Sequence, residues 1–444
     1  MIHAGWRAEA LVDDTHNALE QGLLPASILS DPDIYELEKE RIFGRAWVFL
    51  AHESEIANPG DYVVRYIVDD SFIVVRDDNG QVQVLFNSCR HRGMQVCRTE
   101  KGRGATFVCP YHGWTYRNDG QLIGVPHEKQ IYDDEELNKE DIRLISLPRV
   151  ESHEGWIFGN LDPGAPSLPE YLGDLRWYLR LYTHKSDAGL EVIGTPQRWV
   201  VLANWKLGAS NFIGDGYHTS TTHLSTVHTG QIVGRPDFLL DGVQVTAGIG
   251  GLGFRRLPKE LASTRGFPSH IMDSLRRNAP EQVRIVEDGL FPSHGTVFPN
   301  LSFLPAASVL KPGDPPVPYF TLRLWRPISP VEIEIWSWFL IERDAPPQLK
   351  EASHKALVIS FGSSGMLEQD DTENWSSITR AASGQMARRQ YFNYRMGLKH
   401  LQPMTDWPGP GAAYPLDYTE ANERAFFRTW LDYMSRRPSD NGER

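Results

Sequence analysis

Two short motifs, Cys89-Arg90-His91 and Cys109-Pro110-Tyr111-His112, constrain this chain more than any other feature of its sequence. The pattern is C-x-H, then 17 residues, then C-x-x-H, and a glycine follows each pair closely enough for a loop to turn tightly around a metal. Two thiols and two imidazoles form a four-ligand set of mixed softness. The sequence therefore predicts a small unit in which two loops meet at a metal centre.

Two kinds of metal centre fit these four ligands. A structural zinc accepts two cysteines and two histidines, but its usual spacing, C-x₂₋₄-C followed by H-x₃₋₅-H, pairs like ligands. Here each loop supplies one ligand of each kind, which suits a Rieske 2Fe-2S cluster, where one iron binds both thiolates and the other both imidazoles. The spacing favours the cluster over zinc. The third cysteine, Cys97, is interpreted as a small buried apolar residue.

Length and composition narrow the class of protein. A chain of 444 residues predicts two domains. The net charge of −12, from 45 basic and 57 acidic residues, argues against a general nucleic-acid-binding surface. No apolar run is long enough for a membrane span, and residues 1–7 lack the apolar core of a signal peptide. Three cysteines are too few for a disulfide framework, so we expect a cytoplasmic protein without a membrane segment.

The hydrophobic pattern of the sequence divides the chain into three segments. Residues 14–44 are predicted to be helical, with Asp14 or Thr15 capping a first helix and Asp31-Pro32-Asp33 opening a second. Short alternating runs then predict antiparallel strands up to Leu161, with a hairpin turn at 77–80. Turn formers at 162–166 mark a boundary. We expect an N-terminal helical part of the catalytic domain at 1–44, a metal-cluster domain at 45–161, and the remaining catalytic domain at 162–444.

The third stretch mixes helices and strands. Strands are predicted at 319–325 and 331–341, and a long helix from about Met366 to Gly397. Gly248 to Gly253 fits the dinucleotide fingerprint G-x-G-x-x-G, but Pro258 follows where that fingerprint requires a helix. We therefore expect no nicotinamide site there. The fold class predicted is α+β, a small antiparallel β domain inserted in a larger domain with a mainly antiparallel sheet covered by helices.

The segments Cys89 to Gly93 and Cys109 to Trp114 resemble those of the large (alpha) subunits of Rieske non-haem iron aromatic-ring-hydroxylating dioxygenases, and the likeness extends over most of the chain. The resemblance implies that Cys89, His91, Cys109 and His112 bind a Rieske 2Fe-2S cluster. It also implies that Trp114 shields the cluster from solvent.

An oxygenase also needs a site for its chemistry, and the densest candidate lies between Asn204 and His223. Two histidines, His218 and His223, together with a remote carboxylate would form the 2-His-1-carboxylate set of non-haem Fe(II) oxygenases. Residues i and i+5 point about 140° apart on a regular helix, which predicts an irregularity between them. His228 and His294 are rivals that we interpret as structural, although His294 could line a pocket.

The resemblance assigns further residues to this site. Asn211, Asp215, His218 and His223 match the family's pattern, and the second of two adjacent aspartates, Asp371, matches the iron-binding carboxylate, with Asp370 as the fallback. Considered alone, this acidic segment is an acidic first turn of a helix. Asp215 is implied to join an iron histidine, His218, to a cluster histidine, His112, of the next subunit. The substrate pocket is implied to include Asn211, Phe212, Thr219, Phe361 and Leu367.

The resemblance also implies the reaction and its partners. The expected activity is addition of both atoms of O₂ to an aromatic, possibly polycyclic, ring, giving a cis-dihydrodiol. Electrons are expected from a ferredoxin, and from NADH only indirectly through a ferredoxin reductase. The expected assembly is an α₃β₃ hexamer with a small beta subunit, or a homotrimer. Five basic residues near the cluster loops suggest a ferredoxin-docking patch or merely a solvated surface: Arg90, Arg92, Arg98, Lys101 and Arg103. The alternatives are a Rieske monooxygenase or demethylase, a dioxygenase of an aromatic carboxylate, a Rieske electron-transfer protein and a zinc-binding scaffold.

Overall fold

The computed structural model describes residues 2–132, 137–232, 241–257, 268–416 and 418–436. The chain forms two compact units: Phe43–Leu168, and Met1–Ile42 together with Pro169–Arg444. Each contains antiparallel sheet, and the larger one also contains most of the helices. The α+β class, with a small β domain inserted in the sequence of a larger domain, is confirmed.

The described part of the small unit contains three antiparallel sheets, two of which contribute residues to one apolar cluster. The strand order in the four-stranded sheet is Val82–Phe86, Asp70–Arg76, Asp61–Ile67, Lys101–Arg103. The two three-stranded sheets contain Thr106–Val108, Thr115–Arg117 and Leu122–Gly124, and Arg149–His153, Trp156–Asn160 and Val48–His52. The 3₁₀ turn Glu53–Ile56 and the helix Glu128–Ile131 complete the unit. Their core includes Ile73, Leu85 and Leu144, all fully buried.

The predicted hairpin at 77–80 is confirmed. Gly80 has φ +80, a left-handed conformation that glycine adopts without steric cost, and its N–H donates to the carbonyl of Asp77 at 3.0 Å. The Asp77 carboxylate also accepts from the backbone N–H groups of Asn79 and Gln81, at 2.9 Å each. The turn sets the register of Asp70–Arg76 against Val82–Phe86, which carry the chain toward the first cysteine.

The described part of the larger unit contains a nine-stranded antiparallel sheet. The strand order is Leu190–Val192, Glu332–Glu342, Val317–Ser329, Leu301–Ser308, Leu290–Val297, Gly250–Arg256, Gly242–Ala247 and Ala412–Tyr414, with Gln197–Val201 also paired to Glu332–Glu342. The strands predicted at 319–325 and 331–341 are its two longest. The glycines at 248–253 lie in an antiparallel hairpin, not in the strand-to-helix turn of a dinucleotide fingerprint.

Helices pack against this sheet and connect several of its strands along the chain. They comprise Ile2–Leu19, Pro32–Glu38, Leu168–Leu172, Leu175–Thr183, Trp205–Gly214, Thr219–Thr222, Leu224–His228, Ser269–Asn278, Val283–Glu287, Pro347–Phe361, Met366–Ala382 and Ala421–Met434. Shorter elements are Ala26–Leu29, Lys39–Phe43 and Ala387–Arg389, and a two-stranded sheet joins Leu23–Pro25 to Tyr391–Asn393. None of the helices in the described part of the chain combines the length and apolar character needed to cross a bilayer.

A buried charge cluster joins three helices of the larger unit. Glu38, at the end of Pro32–Glu38, forms an ion pair with Lys206, and both side chains are at most 1% exposed. The Glu38 carboxylate also accepts from the indole N–H groups of Trp205 and Trp430, at 2.8 Å each. The beginning and the end of the chain are thereby connected to the helix Trp205–Gly214, which leads into the metal-site residues.

Two of the predicted helix boundaries were wrong. The first helix begins at Ile2, not near Asp14, because Ala8, Val12, Thr15 and Leu19 form a buried stripe with helical spacing. The long helix ends at Ala382, not Gly397, since Ser383 and Gly384 are poor helix formers and Tyr391–Asn393 pairs as a strand with Leu23–Pro25. The second predicted N-terminus is confirmed: the Asp31 side chain caps Pro32–Glu38 by accepting from the N–H of Asp33 at 2.9 Å.

Candidate metal centres and substrate cavity

The two cysteine loops of the small unit have the same backbone conformation. In the first, the Cys89 N–H donates to the Met94 carbonyl and the Gly93 N–H to the Cys89 carbonyl, both at 2.8 Å. In the second, the Cys109 N–H donates to the Trp114 carbonyl at 2.8 Å and the Gly113 N–H to the Cys109 carbonyl at 3.0 Å. Gly93 and Gly113 have φ +74 and +73, which explains why each loop contains a glycine there.

These loops bring the four predicted cluster residues together. Cys89 and Cys109 are 3% and 2% exposed, and the Nδ1 atoms of His91 and His112 lie 3.1 Å apart. Two buried sulfurs on one side and two imidazole nitrogens on the other form the donor set that a Rieske cluster requires. The residues present therefore fit the group that the motif predicts.

Aromatic side chains enclose this donor set. The Trp114 ring is buried and stacks on His91, with centroids 4.9 Å apart and planes 6° apart. Tyr116 is fully buried, its hydroxyl lies 3.3 Å from the Cys89 sulfur, and it accepts from the Arg90 N–H at 3.1 Å. Burial raises the pKa of Tyr116, so the hydroxyl keeps its proton and could donate it to a metal-bound thiolate. Sequence reasoning missed Tyr116, although its place in a short alternating strand, two residues after Trp114, indicates the same inward face.

In the larger unit, His218, His223 and Asp371 form a group of side chains that could hold a metal ion. Asp371 Oδ1 lies 3.4 Å from His218 Nε2 and 3.3 Å from His223 Nε2. Donor atoms about 2.1 Å from a shared ion and about 90–100° apart would be separated by about 3 Å. The observed spacing therefore fits a 2-His-1-carboxylate iron site.

The helix irregularity predicted between the two histidines falls at His223, at the end of the helical turn that separates them. The helical turn Thr219–Thr222 ends at His223, whose φ of −99 and ψ of 18 depart from helical values, and Leu224–His228 begins a new turn. The Thr226 hydroxyl donates to the His223 carbonyl at 2.6 Å. His228 lies at the end of that second turn and is not part of the group of three.

The other ring nitrogen of each imidazole also faces a carboxylate. His218 Nδ1 lies 3.4 Å from Asp215, and His223 Nδ1 lies 3.2 Å from Asp370. Such contacts orient imidazoles that bind a metal. Asp370, the fallback ligand from the sequence, contacts only the far side of His223, whereas Asp371 contacts both Nε2 atoms.

The charges at this site favour a cation. Burial alone would lower the pKa of His218, but the carboxylates of Asp215 and Asp371 raise it to about 10. Burial alone would raise the pKa of Asp371, but the adjacent His223 and His218 hold it well below its usual range. Three carboxylates around two imidazoles thus leave an excess of negative charge, which a divalent ion would balance.

A cavity of about 160 Å³ opens directly onto the three residues. This volume is over ten times that which one water needs, so the cavity has room for an organic ring. Its wall is mostly apolar, and every pocket residue expected from the resemblance lines it: Asn211, Phe212, Thr219, Phe361 and Leu367. The Asn211 side chain also accepts from the Trp375 indole at 3.4 Å.

The cavity is also lined by polar side chains that the sequence did not single out as one surface. Arg255, Ser293 and His294 line the cavity from two neighbouring strands. His294 is 6% exposed, and its Nε2 has no hydrogen-bond partner among the described residues. A Cβ on Gly253 would lie 2.8 Å from the His294 ring, so this position accommodates the imidazole only because it is glycine. The ring supplies an available hydrogen-bonding atom to whatever occupies the cavity.

Comparisons with known proteins agree with this geometry. Residues 46–146 match the Rieske [2Fe-2S] domain, and residues 171–435 match the ring hydroxylating alpha subunit (catalytic domain). The chain belongs to the ring-hydroxylating alpha-subunit family. Its cofactors are accordingly a Rieske cluster and a mononuclear iron, with O₂ as co-substrate.

Similar members of the family include solved and curated proteins. A naphthalene 1,2-dioxygenase from Rhodococcus sp., solved with bound indole, is 49% identical and matches with a TM-score of 0.89 over 94% of this chain and 97% of that chain. The biphenyl 2,3-dioxygenase alpha subunit of Rhodococcus jostii (strain RHA1) is 36% identical over 93% of this chain and 89% of that protein. An N,N-dimethyl phenylurea N-demethylase alpha subunit of Sphingobium sp. (strain YBL2) is 34% identical over 96% of this chain and 94% of that protein. Relatives of comparable identity therefore carry out different reactions.

Proposed function

We propose that this chain is the terminal oxygenase alpha subunit of an aromatic-ring dioxygenase, and that it adds both atoms of O₂ to an aromatic ring, monocyclic or polycyclic, to give a cis-dihydrodiol. The observation that carries the proposal is that the two histidines and the aspartate open directly onto a mostly apolar cavity. A metal site that faced only solvent or core would not serve this chemistry.

In this proposal two residue sets hold the cofactors. Cys89, His91, Cys109 and His112 hold the Rieske cluster, and His218, His223 and Asp371 hold the iron. The iron, when bound through three protein ligands, supplies open positions at which O₂ is activated next to the substrate. Asp370 and Asp215 fix the orientation of the two iron histidines.

The cavity residues position the ring and exclude water from the site. Phe212, Phe361 and Leu367 are at most 6% exposed and provide apolar contact for a flat ring. Thr219 and Asn211 line the same cavity as the metal residues. His294 offers its unpaired ring nitrogen to a polar atom of the substrate or the product. Together these groups hold the substrate beside the metal ligands.

Electron supply involves further partners. We propose that a ferredoxin, reduced from NADH by a ferredoxin reductase, docks near the cluster loops, where Arg90, Arg92, Arg98, Lys101 and Arg103 are all exposed. We also propose assembly as an α₃β₃ hexamer with a small beta subunit, or as a homotrimer, in the cytoplasm. In that assembly Asp215 would connect His218 to His112 of a neighbouring subunit.

The decisive experiment is turnover of a panel of aromatic hydrocarbons and aromatic acids with purified ferredoxin, reductase and NADH, under ¹⁸O₂. We expect a cis-diol that carries two ¹⁸O atoms from at least one ring substrate. Protein that contains the cluster and iron yet oxidises no member of the panel would contradict the proposal.

A monooxygenase or demethylase is the second candidate, because a relative at 34% identity is an N-demethylase. The same assay separates the two reactions. A demethylase would release formaldehyde from N-methylated arylureas and would incorporate one ¹⁸O atom or none into the retained product.

A further inference from the structure

A single buried arginine contacts the elements that form the iron site and the cavity. Arg323 is fully buried in the strand Val317–Ser329, and its Nη2 lies 2.5 Å from the carboxylate of Glu368, which is 1% exposed. None of its three side-chain nitrogens, including the one in the ion pair, has hydrogen-bond geometry with a described residue. The guanidinium therefore pairs with one carboxylate through charge, and its other neighbours must also contribute to holding it in place.

Four aromatic rings surround the guanidinium. Its carbon lies 5.1 Å from the ring centroid of Trp325 and 5.4 Å from those of Trp199, Phe212 and Phe361. At these distances a cation is attracted to the negative face of an aromatic ring. Phe212 and Phe361 also line the substrate cavity, so the arginine supports two residues of the cavity wall from behind.

The same side chain reaches the iron site through Glu368. Glu368 and Asp371 are both buried in the helix Met366–Ala382, three residues apart, and therefore on one face. Phe212 lies in the helix Trp205–Gly214, which leads directly to Asp215 and His218. Arg323 thus connects the helix of the carboxylate ligand, the helix before the first histidine, and the cavity wall.

Stability alone does not explain a pair of this kind. Removing two ions from water costs as much as or more than their attraction returns, and apolar residues of similar volume often stabilise a protein equally well. We propose that the Arg323–Glu368 pair is a positioning device that fixes the Asp371 carboxylate relative to the Phe212 and Phe361 rings. This inference rests on the proposed role of Asp371 as an iron ligand.

The test compares three variants with the wild type in protein that retains its Rieske cluster. Glu368→Gln removes the charge while keeping the shape, and Arg323→Met combined with Glu368→Leu removes both charges. Glu373→Gln is the matched control, because Glu373 lies in the same helix but is exposed. Iron is removed and Fe(II) affinity is measured by competition with a chelator, with the cluster's visible spectrum and the thermal midpoint as measures of folding.

We expect Glu368→Gln to weaken Fe(II) binding by about 10–100-fold, while Glu373→Gln leaves it unchanged. The double variant should regain the thermal midpoint but not the affinity, and the ratio of product regioisomers should shift. Unchanged affinity in Glu368→Gln, or affinity that recovers with the thermal midpoint in the double variant, would show that the pair is merely structural. Wild-type protein that binds no Fe(II) would instead overturn the proposed function.

Discussion

At the residue scale, the choice between Asp370 and Asp371 depends on how the helix Met366–Ala382 is rotated. Adjacent helical residues point about 100° apart, so only one of the two carboxylates can face both histidines. The acidic composition of the segment is visible in the sequence, but its rotation is set by tertiary packing, including the buried Glu368. The family resemblance selected Asp371, and the structure places that carboxylate between both imidazoles.

Tyr116 should tune the Rieske cluster. Its hydroxyl lies 3.3 Å from the Cys89 sulfur, and donation to a cluster-bound thiolate would stabilise the more negative, reduced state. Because one such hydrogen bond contributes about 0.5–1.5 kcal/mol, Tyr116→Phe should lower the reduction potential by about 20–60 mV. Protein-film voltammetry would measure the shift. Tyr62→Phe is the control, because the Tyr62 hydroxyl contacts Thr99 and Cys97 and neither of the two cluster cysteines; equal potentials in both variants would contradict the assignment.

His294 should make the folded protein sensitive to acid. Burial, and then the charges of Arg255 and His218, lower its pKa to about 3. Between that value and the ordinary pKa of about 6.5, the unfolded chain takes up a proton that the folded protein does not. As the pH falls through this range, His294 alone should therefore lower the free energy of unfolding by about 1.4 kcal/mol per pH unit.

His294→Asn removes that proton uptake. Urea unfolding would measure the free energy of unfolding of both proteins from pH 7 to pH 4. As the pH falls, this free energy should decrease more in the wild type than in the variant. A difference that is independent of pH would mean that His294 accepts a proton in the folded state.

At the element scale, local signals predicted what local physics determines. Asp77 to Gly80 predicted a hairpin because the turn chemistry lies within four residues, and the spacing of His218 and His223 predicted a helix break because the geometry of a helix forbids the alternative. The helix after Met366 was predicted too long because the chain beyond Ser383 pairs with Leu23–Pro25, a partner more than 350 residues away. Local pattern contains no information about such a partner.

The buried Glu38 cluster also joins residues that are far apart in the sequence, so local pattern could not predict it. It leads to a prediction about stability. Glu38→Gln would leave the Lys206 ammonium buried without its counter-charge, so the free energy of unfolding of the larger unit should fall by about 3–5 kcal/mol. Calorimetry would measure this loss. Glu36→Gln in the same helix alters only an exposed pair with Lys39 and should change it by less than about 1 kcal/mol. Similar losses in the two variants would contradict the prediction.

At the scale of the whole molecule, the proposed assembly places Asp215 between subunits. Asp215→Asn should leave iron and acid-labile sulfide contents unchanged and should slow turnover by about 10–100-fold or more, since the carboxylate orients His218. Rapid-mixing spectroscopy would locate the effect: ferredoxin should still reduce the cluster at the normal rate, while the cluster should be reoxidised slowly with substrate and O₂ present. Normal reoxidation would rule out this role.

One unit is formed by a continuous segment of the chain and the other by two separated segments, and this difference should affect the order in which they fold during synthesis. Residues 43–168 form a continuous stretch, whereas the larger unit needs Glu38 from the beginning of the chain and Trp430 from near its end. Since domains fold as they leave the ribosome, the cysteine loops should fold first, and the proposed iron site only after Trp430 has been synthesised. Ribosome-stalled chains that extend somewhat past Leu168 should resist protease in that stretch alone; simultaneous protection of both units, seen only at full length, would contradict this order.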